Sequence, residues 1–109
     1  MFNKFKVTVQ MWQLFLGMTH DQRHIAFQLD LGNDHWLYNY DEDELSSKEL
    51  EKHVYDRTVA ANFVIWKIDN NKPLRANYWT GIKDVDVKQF KSKLQKGIKV
   101  INNDIRSLS

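Results

Sequence analysis

The sequence predicts an α+β fold in two layers, an antiparallel-rich sheet of about five strands with a short middle helix and a long amphipathic C-terminal helix, in the order β-β-β-α-β-β-α. Apolar and polar residues alternate over 5–11 and again over 25–31, the pattern of a half-buried strand. The stretch 61–68 is β-branched and aromatic on both alternate faces, which suits a strand covered on both sides. Near the C-terminus the apolar residues instead recur with the helical period.

A first strand falls near 4–12, where Phe5, Val7, Val9 and Met11 alternate with Lys6, Thr8 and Gln10. Residues 12–18 either extend it or begin a helix, and periodicity does not decide between them. A second strand runs from His24, with Ile25, Phe27, Leu29 and Leu31 on one side and Ala26, Gln28 and Asp30 on the other. Gly32 and Asn33 accept positive φ, so they predict a two-residue hairpin loop in which opposed positions sum to 65. That register sets Leu29 against Trp36, Phe27 against Tyr38 and Ile25 against Tyr40 on one face, with Asp30 facing His35 on the other.

Ser46, followed three residues later by Glu49, has the form of a capping box and opens a short helix. Leu50 and Val54 form its stripe and Arg57 extends it. The central strand at 61–68 should be the most buried segment; 69–73 is a turn, and 74–80 returns as a strand before Gly81. In the last helix Val87, Phe90, Leu94, Ile98, Ile101 and Ile105 fall within an arc of roughly 80° at 100° per residue. Asp84 or Asp86 can cap it. Gly97 in its interior costs about 1 kcal/mol relative to alanine and is expected there to allow close packing.

At 109 residues and 42% hydrophobic, with Trp 4, Phe 6 and Tyr 4, residues 1–109 form one domain able to fold unaided. The absence of cysteine excludes disulfides, a thiolate nucleophile and thiolate-ligated metals, and points to a reducing, cytoplasmic location. The apolar stretch of 1–18 is broken by Gln10 and Gln13 with no small-residue cleavage site, so no signal peptide is expected. No run reaches the roughly 18 apolar residues of a membrane span, and no membrane association is expected. The net charge of +2 divides into −4 over 1–55 and +6 over 56–109.

Catalytic motifs are lacking: there is no GxSxG, no phosphate-cradling glycine loop and no dinucleotide fingerprint. His20 and His24 are four apart and His35 offers a third nitrogen, but their segment is polar and lacks the carboxylate of an HExxH motif, so no metal is assigned. The acids at 41–44 and the pair Asp84 and Asp86 suit solvated helix caps better than general acid–base work. A small hydrolase would need His24 or His35 beside Asp30 in a cleft. The expectation is a non-enzymatic binding or regulatory protein of a bacterial or phage kind, without cofactor, monomeric or homodimeric.

Nucleic acid, as single-stranded RNA or DNA, is the favoured partner. Lys88, Lys99 and Arg106 form a stripe beside the apolar face of the last helix and suit a phosphate backbone, whereas Lys93 and Lys96 point elsewhere. Arg75 and Trp79 share a strand and would stack unpaired bases. The alternative is a protein-binding inhibitor or immunity-type protein, whose Tyr40, Asp41, Glu42, Asp43 and Glu44 would engage a basic partner.

Overall fold

Thr19 and Ser46 open two helices in the same way. Each hydroxyl accepts the backbone N–H three residues on, from Gln22 at 3.2 Å and from Glu49 at 3.3 Å. At Thr19 the box closes, because Gln22 Oε1 accepts the Thr19 N–H at 3.0 Å. The structure, a computed structural model, describes residues 2–41, 43–76 and 84–108, with side chains over 6–41, 43–76 and 87–103. Its elements are α1 (Phe2–Gly17), α2 (His20–Asp30), a 3-10 turn (Asp34–Leu37), α3 (Ser47–Asp69) and α4 (Asp84–Leu108).

The α+β expectation is therefore corrected: the fold is all-helical, with no strand among the described residues. The alternation at 5–11 belongs to α1, whose inward stripe is Val7, Thr8, Met11 and Phe15, with Thr8, Met11 and Phe15 spaced by three and four, and buried Met18 follows just past its end. It reads as period two because Val9 and other apolar residues also lie on the outer face. Residues 12–18 continue the same helix as far as Gly17.

In α2 the buried positions are Gln22, Ile25, Ala26, Leu29 and Asp30, a helical stripe with a polar residue at each end. The hairpin is replaced by a helix stop. Gly32, at φ +90, gives its N–H to Leu29 O at 2.9 Å, and Asn33 gives its own to Gln28 O at 3.0 Å, the two bonds of a Schellman cap. The expected opposing strand is the 3-10 turn and the loop after it.

The middle helix starts at its predicted cap but does not end near Arg57. It continues through 61–68, the expected central strand, to Asp69, with Leu50, Val54, Arg57, Ala61, Val64 and Ile65 on its buried side. No glycine or proline interrupts 47–69, and burial of that side outweighs the modest β preference of valine, isoleucine and phenylalanine. The expected turn at 69–73 contains a second Schellman cap: Asn71, at φ 57, bonds Ile68 O at 3.1 Å and Lys72 N bonds Lys67 O at 2.7 Å. Leu74 is buried and 75–76 are helical; the rest of the expected strand at 74–80 lies outside the described residues.

α3 is the axis of the bundle. Gln22 bonds Asp56 and Asp30 bonds Lys67, so α2 runs parallel to α3. Asn102 meets Thr58 and Lys91 meets Asp69, so α4 runs antiparallel to it, as does α1, where Thr8 meets Lys72 and Phe15 meets Phe63. Parallel neighbours require the linker 31–46 to travel back along the bundle. Leu37 anchors it in the core, and α4 passes it closely at Gly97: a Cβ there would overlap Leu37 Cδ2. The expected close packing at Gly97 is present. The molecule measures 47 × 27 × 20 Å.

Candidate functional site

The outer face of α4 follows from its inner one. Leu94 and Ile101 are fully buried against α3 and the linker, which turns Lys88, Lys93, Lys96 and Lys99 to solvent. At 100° per residue these four fan over about 140°, centred opposite the apolar stripe. None of the four forms an ion pair with a described residue, whereas Lys91 is bound to Asp69. No acid interrupts 87–103. Lys88 and Lys99 thus share an exposed face as expected, but Lys93 and Lys96 belong to it too. Arg106 lies on the same helix, its side chain outside the described residues, and Trp79 lies outside them altogether.

Arg75 is not on this face. It lines a cleft of about 220 Å³ between α1, α2 and α3. One wall is a ladder of rings: Trp12 meets Phe15 edge-on at 5.9 Å, and Phe15 meets Phe63 at 6.3 Å. Met11, Ala26 and Phe27 complete the apolar lining. Trp12 is 54% and Phe27 40% exposed, so both rings stand open at the surface. Arg75 lies over Phe27 at 4.8 Å, and Arg23 lies over Phe15 at the same distance while bonding the Phe15 and Leu16 carbonyls that end α1. At the base, buried Asp30 accepts Lys67 Nζ at 2.7 Å and Arg75 N at 3.2 Å. A second cleft of about 440 Å³, on α1 and α3, has no charged side chain among the described residues of its lining.

The acidic loop is organised differently from expectation. Tyr40 is half-buried: its ring stacks on His53 at 6.4 Å and carries the Arg57 guanidinium at 5.0 Å. Arg57 is itself buried, bonds the His53 and Asn39 carbonyls, and leaves its Nε without a partner among the described residues. Burial draws that guanidinium below its ordinary pKa, against the opposing pull of Tyr40, Asp56 and Asp21. Asp41, Asp43 and Glu44 are exposed, with Asp43 N bonded to Asp41 Oδ1 at 3.1 Å; Glu42 lies outside the described residues.

His24 and His35 both lie against Trp36, at 5.1 and 6.1 Å, while Asp30 is held by Lys67 and Arg75. Among the described residues no three His, Cys, Asp or Glu side chains gather as a metal ion requires, and no helix is long and apolar enough to cross a membrane. Trp12, Arg23 and Phe27 do not stand out in the sequence, because a strand reading turns Phe27 inward and leaves the chain beyond residue 12 unassigned. Lys93 and Lys96 are legible on a helical wheel, lying opposite the apolar arc. No family model, curated protein or solved structure matches the chain.

Proposed function

We propose that this chain is a non-enzymatic nucleic-acid-binding protein that lays α4 along the phosphate backbone of a single strand. One observation carries the reading: Lys88, Lys93, Lys96 and Lys99 cover one solvent face of a 25-residue helix with no acid between 87 and 103 and no ion pair to a described residue. Lysines with no ion pair to a described residue have few internal contacts to give up for phosphate, so counterion release favours binding. A helix of that length spans about 37 Å, enough to follow several phosphates.

The test is the salt dependence of binding to a short labelled single-stranded RNA, followed by fluorescence anisotropy. Replacing the four lysines with glutamine should weaken binding and flatten the slope of log K against log salt by about 3, near 0.7 for each phosphate that is no longer neutralised. An unchanged slope would remove α4 from the interface. The exposed Asp41, Asp43 and Glu44 favour the second reading, a basic protein partner. Reversing their charge should leave RNA binding intact if α4 is the site and would slow association with a basic protein if the loop is.

A further inference from the structure

We infer that the cleft between α1, α2 and α3 is a pocket for one unpaired nucleotide, with Trp12 and Phe27 offering rings for its base and Arg75 pairing with its phosphate. The inference rests on the nucleic-acid reading for its source of nucleotides and adds to it a surface whose described lining includes none of the α4 lysines.

The lining suits a flat ring that carries negative charge. Its volume of about 220 Å³ exceeds the roughly 150 Å³ at which a dry apolar cavity admits benzene. Stacking on Trp12 is open to a base from solvent, while Phe27, whose ring carries Arg75, offers the base its remaining exposed surface. Among the described lining residues are three cations, Arg23, Lys67 and Arg75, and one carboxylate, Asp30, an excess of positive charge.

Those cations are not equivalent. Lys67 is bound to Asp30 at 2.7 Å, and Arg23 is held by the carbonyls of Phe15 and Leu16. Arg75 is 60% exposed, and its Nη groups bond no described residue. Its plane is oriented by the Phe27 ring at 4.8 Å and by Asp30, 3.7 Å from Nε. A guanidinium placed over a ring, with its Nη fork unbonded by any described residue, can make bidentate contact with phosphate oxygens.

A free mononucleotide and a nucleotide within a strand present this same chemistry, and the experiment separates them. Tryptophan fluorescence of the full chain is titrated with adenosine 5′-monophosphate, adenosine and inorganic phosphate. Saturable quenching by the monophosphate is expected, weaker quenching by adenosine and none by phosphate. Arg75→Gln should weaken monophosphate binding about tenfold, and Trp12→Phe should remove most of the signal. Phe27→Leu, which preserves apolar bulk, should weaken binding independently if Arg75→Gln disturbs the fold.

Glutamine at the four α4 lysines should leave monophosphate binding unchanged. If single-stranded RNA also quenches Trp12, the strand is the source; if only the monophosphate does, the free nucleotide is, and either result supports the pocket. No quenching by the monophosphate, or equal binding by the wild type and by Arg75→Gln and Phe27→Leu, overturns it. Salt-dependent RNA binding through α4 would then still stand, whereas its loss with monophosphate binding intact would overturn the α4 reading alone.

Discussion

Gly97 stands where α4 crosses the returning linker. A Cβ added there would overlap Leu37 Cδ2 and lie 2.7 Å from the Tyr38 hydroxyl. Leu37 is 1% exposed, packed within the core. Gly97→Ala would gain about 1 kcal/mol of helix propensity, but overpacking a filled core costs about 1–3 kcal/mol. We expect a net loss of about 1 kcal/mol in urea unfolding, and Leu37→Ala should cost less in the Gly97→Ala background than in the wild type. A raised unfolding midpoint would show that Leu37 relocates at little cost. Arg57 plays a comparable part in holding the linker, since it joins α3 to the Asn39 carbonyl and the Tyr40 ring.

Between elements, α2 and α3 are aligned by polar contacts as much as by leucines. Lys52 reaches Asp56 at 3.1 Å on its own helix and Asp21 at 3.4 Å on α2. Its hydrogen bond to Asp56, the largest effect, the attraction of that carboxylate, and Asp21 together raise its pKa. A raised folded-state pKa means that this contribution is complete below the unfolded lysine pKa and is lost as pH climbs through the folded one. Urea unfolding of the wild type and of Lys52→Met should therefore differ by a constant amount at neutral pH and converge in the alkaline range. A difference that persists unchanged there would show that Lys52 contributes through packing rather than charge.

Across the whole molecule, stability should be uneven. Ala60, Ala61 and Val64 of α3 are 0% exposed, whereas α1 leaves Val9, Trp12, Leu14 and Leu16 at the surface. Hydrogen exchange is expected to release the amides of α1 before those of α3, and the reverse order would contradict the axial role of α3. The same distribution explains what could be read from the chain alone. Apolar spacing in 87–105, the Ser46 and Glu49 cap, the positive φ at Gly32 and the close approach at Gly97 are local demands, legible without knowing any neighbour. The helical period of α2 is not, because Gln22 and Asp30 occupy buried positions only by virtue of Asp56 and Lys67 on α3. A hydrophobicity pattern counts such residues as exposed until their partners are in place. Likewise 61–68 carries apolar residues on more than one side because α1, α2 and α4 all pack on α3, and covering of that kind resembles a central strand. Sequence by itself determined the last helix, the Ser46 start of α3 and a basic outer face. Tertiary packing decided the fold class, through buried polar pairs and a helix surrounded by its neighbours.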